Sequence, residues 1–357
     1  MNSLVKIVPN VKKYNDYLFN VKKGTNPIML SGLTDTAKVH LAYSTKFYVE
    51  KPICIVTYNE MQARKLIKDM QFFKEEIKFF KKKDITSFDF IAESKDELYD
   101  RIDILNSLIN NEKPIIVTTI EAVSQQMISK ESLYKNILNI KTGDIINLDN
   151  LKEKLVLLGY ERYDLIEGKG QFSIRGGIVD IATSKNNGIR IELWGDEIDS
   201  IRTFNISTQR SIENIKEIKI YPAYELVLEK DLETVCKKIE DEVYINSVRE
   251  KVNEDIEQIK DGNYTSKIDK YFNSFYEKSS TFLDYLSEDY IIFLDEIEKI
   301  KARCENVNRD YKNLAKDLVE KKKKVPDIIS KIMEYSQFCD KIVDIKQSIL
   351  KNKILVL

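Results

Sequence analysis

The sequence predicts an α/β protein in which a parallel sheet is split along the chain by an inserted antiparallel, β-rich unit. Residues 1–127 alternate short, continuously apolar runs with helical patterns, which is typical of parallel strands covered by helices on both faces. Residues 144–222 instead alternate apolar and polar positions between glycine turns, as in an antiparallel sheet with one face in water. A length of 357 residues is consistent with two or three domains.

The predicted strands of the parallel sheet are short apolar runs, and a helical pattern over Glu60–Phe73 separates two of them. The runs are Pro27–Leu30, Pro52–Thr57, Pro114–Thr119 and Asp289–Glu296. Helical patterns return from residue 223 to about 280, and a long charged helix is predicted from the last run to about Leu318. The chain ends on the apolar run Lys353–Leu357, so we expect it to be a piece of a longer protein.

The decapeptide LSGLTDTAKV, which starts at residue 30, nearly matches the phosphate-binding Walker A loop G-x-x-x-x-G-K-[ST]. Gly32 and Lys38 occupy the first glycine and the lysine, but Ala37 replaces the second glycine. Val39 replaces the hydroxyl residue that ligates Mg²⁺, and the carboxylate of Asp35 would repel a phosphate. Taken alone, the loop fits a chance turn before a helix as well as it fits a degenerate nucleotide site.

An acidic pair, Asp295-Glu296, ends the last apolar run. In P-loop ATPases such a pair positions Mg²⁺ and the attacking water, so we expect this strand to lie beside the strand that leads into Gly32. The Walker-like loop and the acidic pair together favour descent from an ATPase that has lost the second phosphate-binding glycine and the metal-binding hydroxyl. Gly32, Lys38, Asp295 and Glu296 are therefore interpreted as vestigial, and no catalytic residue, cofactor or metal is expected.

The composition limits the other kinds of site. Lysine and arginine number 57 against 58 acidic residues, which argues against nucleic-acid binding through a broad basic surface. The single histidine, His40, excludes a multi-histidine metal site, and we interpret it as an ordinary surface or core residue. Four scattered cysteines and the lack of a membrane-length apolar stretch predict a cytoplasmic protein with reduced thiols and no membrane contact; these are Cys54, Cys236, Cys304 and Cys339.

The alternation of side chains in the β-rich unit predicts which residues share a face. One face receives Phe172, Ile174 and Ile178, and the other receives Ser173 and Arg175.

In the next predicted strand, Ile189–Trp194, the outward positions are Arg190, Glu192 and Trp194. Trp194 is the only tryptophan of the chain, and a tryptophan beside arginine on a polar face has the composition of an interaction hot spot. The alternative, that another part of the chain covers Trp194, stays open.

Three motifs follow one another in this unit: G-x-F-x-x-R-G-x-x-x-D-I at Gly170–Ile181, R-I-E-x-x-G-D-E-I-D-S-I-R-x-F at Arg190–Phe204, and T-Q-R-S at Thr208–Ser211. Together they resemble the middle domain shared by the excinuclease component UvrB and the bacterial transcription-repair coupling factor family. The resemblance covers nearly the whole chain, weakly before residue 60 and strongly after residue 160.

Two departures favour the coupling factor over UvrB. UvrB has an intact Walker A loop, whereas this chain has Ala37 and Val39. UvrB also has an aromatic hairpin that threads between DNA strands, and the matching stretch Phe88–Glu93 leaves no length for one. The chain is therefore similar to the N-terminal, UvrB-like module of the coupling factor.

The resemblance implies a non-catalytic docking module that binds the excinuclease component UvrA and so recruits nucleotide excision repair to stalled RNA polymerase. The family's contact residues fall on Arg175, Arg190 and Trp194, which we call the docking face and expect to be exposed together. In the full-length family protein, an ATP-dependent DNA translocase, RNA polymerase and double-stranded DNA bind to domains that this chain lacks.

The predicted organisation is a degenerate P-loop, helicase-like domain formed by residues 1–127 and 223–357, with a UvrA-binding domain inserted at residues 128–222. Two alternatives remain open from the sequence. One is an active ATPase or helicase fragment, and the other is a DNA-binding or ATP-dependent repair protein of the UvrB type.

Overall fold

The computed structural model describes residues 5–25, 27–83, 95–225, 227, 232–241, 246–260, 271–276, 280–320, 337 and 354–356. The predicted stretch Phe88–Glu93 and Cys339 lie outside these residues. Within them, no helix combines the length and the apolar character that crossing a membrane requires.

A six-stranded sheet unites strands from both ends of the chain, and every neighbouring pair in it is parallel. Its strands are β1 (Ile28–Met29), β2 (Ile53–Thr57), β3 (Ile77–Phe80), β4 (Ile115–Thr119), β13 (Ile291–Leu294) and β14 (Ile354–Val356). They are arranged in the order β1-β14-β13-β2-β4-β3. The parallel sheet predicted from the apolar runs is thus confirmed, and β3 is a strand that the sequence patterns did not reveal.

The expectation that the strand of Asp295 lies beside the strand leading into Gly32 is wrong. β14 lies between them, because Leu355 and Val356 pair with β1 on one side and with β13 on the other. The terminal run is apolar and strand-like in sequence, but its place in the sheet depends on long-range pairing that no local pattern encodes.

The continuous apolar runs are explained by burial on both faces of this sheet. Ile53, Ile55 and Val117 belong to one core cluster, together with residues of α1, α2 and α3. These helices are α1 (Lys12–Lys23), α2 (Asp35–Val49) and α3 (Glu60–Met70). The alternate residues Val56 and Ile116 belong to a second cluster on the opposite face.

The second cluster also contains residues of most of the remaining helices. The other α-helices of the described residues are α4 (Lys95–Ile109), α5 (Ile120–Ser124), α6 (Lys130–Lys135), α7 (Leu148–Leu157), α8 (Leu232–Asp241), α9 (Asn246–Lys260), α10 (Phe272–Phe275), α11 (Phe282–Tyr285) and α12 (Ile297–Glu320), and short 3-10 helices form at Val5–Asn10 and Gln71–Phe73. The helices predicted after residue 223 and after Asp295 are confirmed by α8, α9 and α12.

A second six-stranded sheet forms the core of the β-rich unit, with the strand order β11-β10-β9-β8-β7-β6. Its strands are β6 (Glu161–Arg162), β7 (Gln171–Arg175), β8 (Ile178–Ile181), β9 (Asn187–Trp194), β10 (Glu197–Asn205) and β11 (Ser211–Ile215). Its pairs are antiparallel except for β6 with β7. A separate antiparallel pair is formed by β5 (Leu138–Lys141), which precedes the sheet in the chain, and β12 (Glu217–Ile220), which follows it.

The period-two pattern predicted for all of residues 144–222 fails at its beginning, where α7 forms instead. Leu148, Leu151 and Leu155 recur at helical spacing, and the last two are buried. The Asn147 side chain caps the helix by accepting the Asn150 N–H at 3.0 Å. The capping asparagine and the leucine spacing are both visible in the sequence, but the strand pattern of the later residues was predicted to begin before them.

The two sheets share one apolar core, since Ile116 of the parallel sheet and Ile191 of the antiparallel sheet lie in the same cluster. Arg101 of α4 also donates to the Glu225 carboxylate over 2.6 Å, and both residues are buried. Gly170 fits tightly against α4, because a Cβ atom there would lie 2.2 Å from the Tyr99 hydroxyl oxygen. Helix α4 therefore contacts both Gly170, directly before β7, and Glu225, which follows β12.

Candidate functional site

The loop that resembles a phosphate-binding turn leads into α2. Gly32 adopts a left-handed backbone conformation with φ of +78°, which glycine tolerates without strain. The Thr34 hydroxyl oxygen accepts the Ala37 N–H at 3.4 Å and so caps the helix. The loop thus retains a turn before a helix N-terminus, the local geometry that can bind anions.

The lysine of this loop is bound by the acidic pair. Nζ of Lys38 lies 2.6 Å from Oδ1 of Asp295 and 2.6 Å from Oε1 of Glu296. Only 3% of Lys38 and none of Asp295 is exposed. Three of the four residues interpreted as vestigial, Lys38, Asp295 and Glu296, are therefore in contact, and the lysine is directed at carboxylates of its own chain.

The surrounding polar groups complete this cluster. Oδ2 of Asp295 accepts hydrogen bonds from the Thr57 hydroxyl at 2.9 Å and from Nε2 of Gln62 at 3.2 Å. Asp35 is turned toward α3, where it accepts from Lys65 at 2.6 Å and from Gln62 at 3.2 Å. Every carboxylate of the cluster thus has protein donors as partners.

The charges of the cluster stabilise one another. Burial acts to lower the pKa of Lys38, but the hydrogen bonds and charges of Asp295 and Glu296 outweigh it and raise this pKa. The hydrogen bond from Lys38 in turn lowers the pKa of Glu296. Val39 is buried in the apolar core, so the position of the metal-binding hydroxyl in a Walker A loop holds a packed side chain. Chemically, the cluster is a closed ion-pair network.

The docking face lies on one side of the antiparallel sheet. Across the β7–β8 hairpin, Arg175 lies opposite Ile178. Asp180 is two residues further along β8, on the same face as Ile178, and it lies opposite Arg190 of β9. Directly opposed residues share a face, so Arg175, Arg190 and, by alternation along β9, Trp194 point to the same side.

Ile178 is a correction to the predicted faces. It lies opposite Arg175 and Glu192, on the polar side, and not with Phe172 and Ile174. The prediction continued a single alternation through the glycine pair at positions 176 and 177, but a two-residue hairpin puts the residues that flank it side by side. Alternation therefore restarts at the turn.

The exposure of the three docking-face residues differs. Trp194 is 84% exposed, so no other part of the described chain covers it. The Arg175 side chain is 47% exposed, whereas the Arg190 side chain is only 17% exposed. The expectation that all three are openly exposed is therefore wrong for Arg190.

Asp180 explains why Arg190 is covered. Its carboxylate is fully buried and accepts from Nε and Nη2 of Arg190 at 2.7 and 2.9 Å. It also accepts from Nη2 of Arg175 at 2.7 Å. The hydrogen bonds of Asp180 raise the pKa of Arg190. One buried carboxylate thus orients both arginines of the docking face.

A second support for Arg190 comes from the loop between β10 and β11. Gln209 accepts from Nη2 of Arg190 at 3.0 Å and has a left-handed backbone with φ of +58°, which is uncommon for a residue with a side chain. The Arg190 guanidinium also lies over the Phe204 ring, 4.5 Å from its centroid. Sequence reasoning missed Asp180 and Gln209 as site residues. The signal for Asp180 was a lone carboxylate inside an apolar strand.

Other candidate sites are weak in the described part of the chain. No group of three or more histidine, cysteine, aspartate or glutamate side chains there could hold a metal ion. Cys54, Cys236 and Cys304 are buried free thiols. His40 is partly buried, with its ring 6.1 Å from Tyr14.

Comparison with known proteins agrees with the placement of the antiparallel sheet. Residues 138–226 match the model of the UvrB interaction domain family. The chain is 29% identical over 343 residues to the transcription-repair-coupling factor of Bacillus subtilis, a match that covers 92% of the chain and 29% of that protein. Matches to the transcription-repair-coupling factors of Staphylococcus aureus and Staphylococcus haemolyticus, at 29% and 28% identity, cover 90% and 86% of the chain and 28% of each relative.

The chain thus spans less than a third of the length of these relatives. Over that span, the UvrB interaction domain and the extended sequence identity confirm the resemblance of this chain to the transcription-repair-coupling factors.

Proposed function

We propose that this chain is a non-catalytic docking module of a transcription-repair-coupling factor and that it binds the excinuclease component UvrA through the antiparallel sheet. The observation that carries the proposal is the exposed Trp194 on the same sheet face as two arginines that one buried carboxylate orients. The match of residues 138–226 to the UvrB interaction domain supports the same partner.

The chemistry of the docking face fits a partner surface that has carboxylates around an apolar pocket for Trp194. One nitrogen of Arg175 is bound to Asp180, and the other guanidinium N–H groups of this half-exposed side chain are available for a partner carboxylate. Trp194 contributes a large apolar surface at little cost in conformational entropy. The face combines specificity from the fixed guanidinium with affinity from the indole.

We further propose that the parallel-sheet domain, residues 1–127 and 223–357, is a degenerate P-loop domain that serves as a scaffold, with residues 128–222 as the inserted docking domain. The closed network of Lys38, Asp295 and Glu296 supports this, because a lysine bound to two carboxylates is not directed at a phosphate. In the longer protein, RNA polymerase and double-stranded DNA would bind elsewhere, and the module would recruit repair to a stalled polymerase in the cytoplasm.

The sole tryptophan allows a direct test of the docking proposal. Biosynthetic incorporation of fluorotryptophan gives this chain one fluorine NMR signal, from Trp194, and unlabelled UvrA is then titrated in. We expect the signal to shift or broaden saturably as the indole is buried. A signal unchanged at concentrations of UvrA well above micromolar contradicts the proposal, and a change produced by duplex DNA alone favours a DNA-binding module instead.

A further inference from the structure

A short segment outside the second sheet extends the β9–β10 hairpin sideways. The Ile146 N–H donates to the Asp196 carbonyl oxygen at 2.7 Å, and the Ile198 N–H donates to the Asp144 carbonyl oxygen at 2.9 Å. These two bonds place Ile145 directly opposite Glu197 in antiparallel pairing. The backbone of Ile145 is therefore held in place like that of a strand residue.

This pairing creates a row of three residues across the end of the sheet. Ile145 lies opposite Glu197, and Glu197 lies opposite Trp194, so the three side chains share a face. The residues that follow Ile145 and Glu197 in the chain point to the opposite face of the sheet, since Ile198 is buried and Ile146 packs against the main core. The row therefore projects from the same side as the docking face.

The two ends of the row are large apolar side chains in solvent. Ile145 is 81% exposed and Trp194 is 84% exposed. Two strand spacings separate them, about 10 Å. A single exposed apolar side chain is ordinary, but here a fixed backbone presents Ile145 in one row with Trp194 of the docking face.

The row also carries negative charge. Asp196 and Glu197 are exposed, and within the described residues neither side chain forms an ion pair. Arg175, on the same face of the sheet, is the positively charged counterpart. The surface thus changes from basic at Arg175 to apolar and acidic at the hairpin end.

We propose that the surface for UvrA extends beyond the docking face onto this row, with Ile145 as a second apolar anchor and Glu197 as the acceptor for a cationic residue of the partner. We call Ile145, Asp196, Glu197 and Trp194 the turn patch. The occupant follows from continuity, because Trp194 belongs both to the docking face and to the turn patch. This inference rests on the proposed function.

The test measures the affinity of purified UvrA for the chain and for single variants. Ile145→Ala should weaken binding by about 5- to 30-fold, as expected when a large apolar anchor is truncated. Glu197→Lys should weaken it by about tenfold or more at low salt, and the loss should shrink as salt screens the repulsion. Met61→Ala is the matched control, because Met61 is an equally exposed apolar side chain on α3.

The outcomes separate this inference from the docking proposal. If Trp194→Ala weakens binding while Ile145→Ala and Glu197→Lys bind like wild type, the turn patch is wrong and the docking face stands. If Trp194→Ala also binds like wild type, the proposed function itself fails. Sedimentation of the chain alone tests a second copy as the occupant: self-association that Ile145→Ala abolishes, with unchanged affinity for UvrA, overturns the inference.

Folding must be unaffected for these comparisons to count. Because Ile145 and Glu197 are exposed, both variants should melt like wild type. Ile145→Val is the second variant: it keeps a branched apolar surface and should retain most of the affinity. An Ile145→Val chain as weak as Ile145→Ala would contradict the anchoring role.

Discussion

Nζ of Lys38 lies 2.6 Å from Oδ1 of Asp295, although 257 positions separate the two residues in the sequence. The contact joins the helix after the Walker-like loop to the end of β13, and it is buried on both sides. The lysine is therefore occupied by a carboxylate of its own chain.

The first prediction concerns nucleotides. The chain should hydrolyse no ATP above background, and the double variant Ala37→Gly, Val39→Thr should gain at most weak binding. The reason is that Lys38 stays bound to Asp295 and Glu296, and that position 39 lies in the apolar core. Titration with a fluorescent ATP analogue in Mg²⁺ checks both statements. A turnover that disappears in Lys38→Ala would overturn them.

The second prediction concerns the stability that this network contributes. Lys38→Met should lower the free energy of unfolding by about 3–5 kcal/mol, because it leaves the buried Asp295 carboxylate without its cation. The matched control is Lys65→Met, which removes an exposed lysine paired with Asp35 and should shift the unfolding midpoint only marginally. Urea unfolding measures the free energy of unfolding of both variants. A loss in Lys38→Met as small as that in Lys65→Met would show that the network does not stabilise the fold.

The third prediction distinguishes the two arginines of the docking face. Arg190→Ala should destabilise the chain by about 1–3 kcal/mol, since it removes two of the three hydrogen bonds to the buried Asp180. Arg175→Ala should cost less, because Arg175 is half-exposed and makes one such bond. The order of the two melting temperatures checks this. The reverse order would contradict the assigned role of Asp180.

The fourth prediction is a pH dependence that arises from the buried Glu225 carboxyl. Burial acts to raise the pKa of Glu225, but the charges of Arg101 and Lys83 outweigh it, so this pKa is lowered from 4.5. A carboxyl whose pKa is lower in the folded state contributes stability above its unfolded pKa and loses it as the pH falls through the folded value.

The stability of the chain should therefore fall on acidification below about pH 4.5, and Glu225→Gln should remove part of that fall while lowering stability at neutral pH. Urea midpoints across the pH range measure this dependence. A variant with the same acid sensitivity as wild type would show that Glu225 does not contribute to it.

Local patterns were sufficient to predict many of the elements. Continuous apolar runs identified β2 and β4 because both faces of these strands are buried, and strict alternation placed Arg190 and Trp194 on the outer face of β9. Such assignments need only the period of a strand and the polarity of its neighbours. They succeed where one element is regular and uninterrupted.

The errors arose where distant parts of the chain determine the structure. Ile178 was assigned to the wrong face because the register across a glycine turn, and not the count along the chain, sets its side. The insertion of β14 between β1 and β13 depends on pairing over long separations. The burial of Arg190 depends on Asp180, on the neighbouring strand, and on Gln209 in a later loop. Alternation indicates the direction of a side chain but not what covers it.

The central claim is that Arg175, Arg190 and Trp194 form the contact with UvrA, and calorimetric titration of UvrA into the chain and its variants tests it most directly. Arg175→Ala, Trp194→Ala and Arg190→Lys should each lose about 1–3 kcal/mol of binding free energy, or about 5- to 150-fold in affinity. Arg190→Lys keeps the charge but loses the paired hydrogen bonds to Asp180 that orient the side chain. Tyr134→Ala, which removes an exposed aromatic ring on α6, should bind like wild type. If the three docking-face variants remain folded and bind UvrA as tightly as wild type does, the account is contradicted.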